Sequence, residues 1–242
     1  MNMHKITIGV LAVAGVALIL LLAGCKTSKT NSANKDGFVS IFDGKTLQNW
    51  EGDPVYWKVE NGSLVGTVTP ETILKRNTFI IWRGGLTADF ELKVEYRVTA
   101  GGNSGINYRS EEIPDLPFAM KGYQADIDGA NRYTGQNYEE RGRTFLALRG
   151  QRVVLEPGKK PVVTAQIANS DTLKELIKKE EWNEVHLVVK GNLMQHYVNG
   201  VLMSEVTDND PVNRKMNGLL GVQVHVGPPM KIEYRNFRLK QY

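Results

Sequence analysis

Short apolar runs recur along the chain from Gly37 onward, separated by glycine, asparagine and aspartate. Apolar–polar alternation within them predicts strands at Trp57–Glu60, Ser63–Val68, Phe79–Trp82, Phe90–Val98, Gly105–Arg109 and Tyr123–Asp128. The same pattern continues at Thr144–Arg149, Gln151–Glu156, Glu184–Lys190, Leu193–Val198, Gly221–His225 and Ile232–Lys240. Turn signals such as Asn61-Gly62, Asp128-Gly129, Pro157-Gly158, Gly191-Asn192 and Asn199-Gly200 lie between these runs. Many short strands joined by Gly/Asn turns predict an all-β fold, an antiparallel sandwich or barrel. One stretch has a different period: Leu173, Leu176 and Ile177 share a helical face behind N-cap candidates Ser170 and Asp171. This predicts one short helix over Asp171–Lys179, its Lys and Glu residues solvated.

Alternation also exposes polar side chains where a plain solvated sheet would carry Lys, Glu or Thr. Asn107 and Arg109 share one face of their strand, against Ile106 and Tyr108. Gln124, Asp126 and Asp128 oppose Tyr123, Ala125 and Ile127, and Gln223 and His225 oppose three valines. Amides, carboxylates and a histidine at fixed spacing on a rigid sheet suit the hydroxyls of a sugar. Same-face neighbours on a strand lie about 6.6 Å apart, so Asp126 and Asp128 are expected to couple, one protonated while the other is charged. His186 and His196 are expected to be structural. Trp50, Trp57, Trp82 and Trp182 are expected in the core, with stacking on a sugar ring as the other role open to them.

The N-terminus reads as a secretory signal. Met1 to Lys5 is short and basic, Ile6–Leu22 is apolar, and Leu22-Ala23-Gly24 precedes Cys25. Residues 1–24 are therefore expected to be a lipoprotein signal peptide, and Cys25 the lipidated residue that holds the protein at a membrane. An uncleaved anchor is the competing reading. Residues 25–36, rich in Ser, Thr, Asn and Lys, read as a flexible tether, and 37–242 as one domain. The expected location is the bacterial cell envelope, lipid-anchored and facing the periplasm or the outer surface.

Cys25 is the only cysteine, which excludes an internal disulfide, a cysteine zinc site and a cysteine nucleophile in the domain. The formal charge is +4 with no basic stripe, so nucleic acid is not an expected partner. No dinucleotide fingerprint, P-loop or nucleophile elbow occurs. No cofactor is evident, although a His/Asp pair is chemistry that can hold a divalent metal.

Several motifs together resemble the bacterial 3-keto-disaccharide hydrolase family, also described as 3-keto-glucoside 1,2-lyase/3-keto-2-hydroxy-glucal hydratase. They are Phe38-Val39-Ser40-Ile41-Phe42-Asp43-Gly44, Trp57-Lys58-Val59-Glu60-Asn61-Gly62, Gly102-Asn103-Ser104-Gly105-Ile106 and Tyr123-Gln124-Ala125-Asp126-Ile127-Asp128. Gly221-Val222-Gln223-Val224-His225 and Arg235-Asn236-Phe237 complete the set, in order and through nearly all of residues 37–242. The resemblance implies a concanavalin A-like jelly-roll β-sandwich of two antiparallel sheets with the site on the concave face.

It also implies an enzyme, a hydrolase or lyase/hydratase that removes the C2 proton of a 3-keto-glycoside, eliminates at C1 and rehydrates. A separate oxidoreductase would make the ketone. For that chemistry His225 or Asp128 is expected as base, with Asp126 supporting or protonating. Arg109 and Asn103 would stabilise the enolate, and Gln124, Gln223 and Asn107 would orient hydroxyls. Glu139 and Arg141, with the rest of the run Glu139-Glu140-Arg141-Gly142-Arg143, are expected at the rim, a solvated loop being the alternative. A non-catalytic glycan-binding module and a structural lipoprotein are the alternatives.

Overall fold

The computed structural model describes Met1 and residues 36–242. The expected signal segment, Cys25 and the tether up to residue 35 lie outside the described residues. In chain order the strands are β1 (Val39–Ser40), β2 (Trp50–Glu51), β3 (Trp57–Glu60), β4 (Ser63–Val68), β5 (Thr78–Thr87) and β6 (Phe90–Val98). Next come β7 (Asn103–Glu112), β8 (Met120–Asp128), β9 (Asn137–Glu140), β10 (Thr144–Ala147), β11 (Gln151–Leu155) and β12 (Val162–Gln166). After helix α1 (Ser170–Glu175) follow β13 (Asn183–Lys190), β14 (Leu193–Val198), β15 (Val201–Asp208), β16 (Gly218–Val224) and β17 (Met230–Gln241).

These strands form the two sheets of a jelly-roll sandwich. A ten-stranded sheet runs β12-β11-β15-β14-β13-β6-β17-β4-β3, with β1 also on β17, and a seven-stranded sheet runs β10-β9-β8-β7-β16-β5-β2. Asn-Gly turns close two hairpins as their chemistry requires: Asn61 and Gly62 have φ of 49° and 78°, and Asn199 and Gly200 of 50° and 79°. Both central residues are left-handed, the geometry whose twist matches antiparallel strands. One pairing departs from the all-antiparallel expectation, because β11 runs parallel to β15. Helix α1 also starts earlier than expected and is shorter: Asn169 is its cap, its Oδ1 accepting from the backbone N–H of Asp171 and Thr172.

The sandwich core is apolar, with Leu92, Val94, Ile106, Ile127, Leu187, Val222 and Tyr234 fully buried between the sheets. His196 is buried among them. Its Nδ1 donates to the Gln136 carbonyl (3.2 Å) and its Nε2 accepts from the Tyr108 hydroxyl (2.8 Å), so the ring is held neutral. Burial pushes its pKa down to about 4. A group depressed in the folded state contributes stability above its unfolded pKa and loses it as pH falls through the folded one. We expect His196→Gln to flatten part of the acid destabilisation between pH 6.5 and 4, measured by urea unfolding at several pH values.

Trp50, Trp57 and Trp82 are buried as expected. Trp182 instead lies half-buried on the outer face, the Arg235 guanidinium 3.8 Å from its ring centroid. His186 pairs with Glu91 at 2.8 Å.

Candidate active site

Register places the polar row. Asn103 lies opposite Asp128, Gly105 opposite Asp126 and Asn107 opposite Gln124 on β7–β8, while Gln124 lies opposite Tyr138 on β8–β9. Directly opposed residues share a face, so one face of the seven-stranded sheet collects amides, carboxylates and a tyrosine. A cleft of about 470 Å³ opens there, lined by Asn77, Asn103, Gln124, Asp126, Glu140, Arg141, His225 and three aromatic rings.

Asp126 sits at the end of a hydrogen-bonded chain of amides. Gln223 Nε2 donates to Gln124 Oε1 (3.0 Å), and Gln124 Nε2 donates to Asp126 Oδ1 (2.7 Å). Gly105 makes room for this crossing: a Cβ there would fall 2.5 Å from Gln124 Cδ. Burial raises the Asp126 pKa to about 7, opposed by the Gln124 hydrogen bond and reinforced by the nearby Asp128 and Glu140 carboxylates. A carboxyl balanced between acid and base at neutral pH is suited to proton transfer.

His225 follows β16 directly. Its Nδ1 donates to the Val226 carbonyl (2.6 Å), which leaves Nε2 as the nitrogen available for chemistry. Asn77 spans between segments: its Oδ1 accepts from Val226 N–H (3.0 Å) and its Nδ2 donates to Glu140 Oε1 (3.2 Å). The Arg141 Nε lies 3.9 Å from that same Glu140 oxygen.

Five of the residues expected at the site do not line the cleft. Arg109 does not face the cleft. The β7–β8 register shifts between Tyr108 and Glu111 and Arg109 takes φ of 45°, so strict alternation fails at this bulge. Its guanidinium donates to the carbonyls of Ala88 (2.9 Å), Gly191 (2.7 Å) and Lys215 (3.3 Å) and pairs with Asp89 (3.0 Å). It ties loops together and cannot reach an enolate.

Asp128 shares the site's face but its oxygens are taken. They accept from the backbone N–H of Arg132, Tyr133 and Thr134 at 2.7–2.9 Å and from the Thr134 hydroxyl at 3.1 Å. This carboxylate pins the loop after β8, and the base role expected of it does not fit.

Glu139 points the other way from Tyr138 and Glu140, and binds Arg143 rather than the rim. Asn107 is fully buried, its amide donating to the Ser110 hydroxyl (3.4 Å), and lies outside the cleft lining. Gln223 acts only through Gln124. Asp126, Gln124, Asn103, His225 and Arg141 are brought together as expected.

Glu140, part of the run expected at the rim, does line the cleft, whereas Asn77, Tyr133, Tyr138 and Phe145 are the cleft residues that sequence reasoning missed. Phe145 packs edge-on to Tyr138 with centroids 5.1 Å apart and lies near-parallel to Tyr133 at 6.2 Å. The pair Tyr138–Glu140 at i and i+2 was a usable signal, but the polar stretch from 129 to 143 masks the strand it belongs to.

Among the described residues no three His, Cys, Asp or Glu side chains gather as ligands for a divalent cation.

The fold and cleft define a jelly-roll sandwich with an open acid–amide–aromatic site on one sheet. The chain belongs to the family described as the 3-keto-alpha-glucoside-1,2-lyase-like domain, which it matches over residues 37–240. A 3-keto-disaccharide hydrolase of Bacteroides thetaiotaomicron is 35% identical over 85 residues, 32% of this chain and 29% of that protein. The alignment thus spans under a third of that relative's length.

Among solved structures, a Parabacteroides distasonis protein provisionally classed as a glycosyl hydrolase aligns with a TM-score of 0.55 and 20% identity. It covers 88% of this chain and 99% of its own. The carbohydrate-binding module CBM66 of Bacillus subtilis aligns with a TM-score of 0.52 and 13% identity, covering 80% and 96%. At these identities the likeness is one of fold.

Proposed function

We propose that this protein cleaves 3-keto-glycosides by C2 proton abstraction, elimination at C1 and rehydration. The observation that carries the reading is Asp126, a carboxyl in an open cleft with a pKa near 7, held by Gln124 and facing the same space as His225. Family membership and the activity named for the Bacteroides relative support the substrate class.

A ketone at C3 acidifies the C2 hydrogen. Asp126 takes that proton as the carboxylate, and the electron pair moves into the enolate, whose oxygen the Asn103 amide is suited to bind. Collapse of the enolate expels the C1 oxygen, which receives a proton from Nε2 of His225 in its imidazolium form. Water then adds across the C1–C2 double bond, the neutral His225 Nε2 taking its proton as its oxygen bonds C1 and protonated Asp126 returning one to C2. Arg109 and Asp128 have no part in these steps. The ketone itself comes from a separate sugar oxidoreductase, and lipidation of Cys25 holds the protein in the cell envelope.

Incubation with a 3-keto-glucoside in D₂O tests the mechanism. We expect released 3-keto-glucose to carry deuterium at C2 and a glucal to be trapped early in the reaction, both read by mass spectrometry and NMR. Binding without turnover would leave a glycan-binding module instead.

The pH profile gives a second check. kcat/KM is expected to rise with pH through about 7, as Asp126 ionises. The Glu140 carboxylate raises that pKa, so Glu140→Gln should move the rising limb to lower pH. A limb that stays put removes Asp126 from the base role.

A further inference from the structure

We propose that the group expelled from C1 is an aromatic aglycone, seated on the ring wall of Tyr133, Tyr138 and Phe145. This rests on the 3-keto-glycoside reading above and names which members of that class the site favours.

The wall continues the row that carries the acid–base group. Phe145 lies opposite Tyr138 and Tyr138 opposite Gln124, so the rings extend from Asp126's own partner to β10, the terminal strand of the sheet. Adjacent strands are about 4.8 Å apart, which sets the wall about 5 to 10 Å from Gln124. That is the reach of a substituent bonded directly to C1 when the keto-sugar lies over Asp126.

The chemistry of the lining divides accordingly. The cleft's amides, which grip sugar hydroxyls through paired donors and acceptors, come from Asn77, Asn103 and Gln124. The β9–β10 hairpin and its flanking loop offer ring faces, and Phe145 is 45% exposed with nothing on its side chain to bond a hydroxyl. The three rings are joined through Phe145, which contacts both tyrosines, with Tyr133–Phe145 near-parallel at an interplanar angle of 29°.

The loop that brings Tyr133 to the wall is not left to chance. Tyr133 N–H and its two neighbours donate to the buried Asp128 carboxylate. Asp128 therefore aims one ring of the platform, which gives this carboxylate a role at the site without touching the reacting carbons.

Calorimetry of the purified protein with phenyl glucoside and methyl glucoside, neither of them oxidised, tests the platform independently of catalysis. We expect the phenyl compound to bind about tenfold more tightly, given the strength of offset ring packing. Phe145→Ala should abolish the difference, and Phe145→Tyr should restore it. Phe145 is half exposed on an edge strand, so these variants are expected to fold.

In turnover, Phe145→Ala should reduce kcat/KM for a phenyl 3-keto-glucoside about tenfold more than for a 3-keto-disaccharide. Equal affinities in the wild type, or a phenyl preference that survives in Phe145→Ala, overturns the proposal. If the phenyl preference is seen but no 3-keto compound is turned over, the platform stands and the catalytic reading falls.

Discussion

Asp126→Asn should abolish turnover and at the same time stabilise the protein above pH 7. Loss of a general base at the reacting carbon removes about 10²- to 10⁴-fold in rate. The stability gain follows from linkage. Asp126 has a folded-state pKa raised by burial to about 7, so the folded protein holds its proton more tightly than the unfolded chain does. Such a group contributes stability fully below its unfolded pKa and loses that contribution as pH rises through the folded one.

At pH 8 the wild type holds a buried carboxylate whose desolvation opposes folding, and asparagine removes that charge. Its amide oxygen still accepts from Gln124. We expect a gain of about 3 kcal/mol at pH 8, which is about 6–12 °C in Tm for a domain of this size, and little gain at pH 4. Differential scanning calorimetry at the two pH values decides it. An equal Tm shift at both would show that charge burial is not the cause.

Arg143→Met should destabilise the protein by about 3–5 kcal/mol. Arg143 leaves β9 and reaches between the sheets. Its guanidinium bonds Glu139 (Nε to Oε2, 2.6 Å) and Asp208 (Nη2 to Oδ2, 2.7 Å), and Asp208 also accepts from the Tyr123 hydroxyl (2.6 Å). Asp208 is on β15 of the ten-stranded sheet, whereas Glu139 and Tyr123 are on the seven-stranded one, so one arginine staples the two layers. Asp208 is fully buried and Glu139 nearly so.

Removing the cation leaves two buried carboxylates without their counter-ion, Asp208 keeping only the Tyr123 hydroxyl and the Asp210 N–H, which costs far more than the intact pair contributes. Urea unfolding measures the loss. The triple variant Arg143→Met, Glu139→Gln, Asp208→Asn should recover much of it, because the two carboxylates bonded to the guanidinium are then neutral and Asp210, 3.7 Å from it, keeps the Val212 N–H and Asn213 amide. Failure to recover would locate the loss in packing. Since β9 also carries Tyr138 and Glu140 into the cleft, the single variant should lose activity as well.

The limits of reading this chain as a string lie at particular residues. Gln124 and Asp126 were legible because β8 alternates without interruption from Tyr123 to Asp128. Arg109 was misread because a bulge breaks the alternation one residue beyond Tyr108, and nothing in Tyr108-Arg109-Ser110 announces it. Asp128 was misread for a different reason. Its position on the face is right, but three backbone N–H groups of the following loop consume its oxygens, and local hydrogen bonding cannot be read from a two-residue period. Glu139 and Glu140 differ only in which side of β9 they occupy, and β9 itself is hidden among polar residues. Phe145 was placed in a strand, yet its exposure depends on β10 being the sheet's last strand.

Sequence by itself determined the elements and their chemistry. Period-2 patterning and Asn-Gly turns specify antiparallel hairpins, since side-chain direction along a strand and turn handedness are local properties. The all-β sandwich and the Gln124/Asp126/His225 face followed from them. Tertiary structure alone decided which of those polar groups remain free. Sheet curvature, bulges and inter-sheet contacts are non-local, and they turned Arg109, Asp128 and Glu139 into structural ties while assembling Glu140 and three aromatic rings around Asp126.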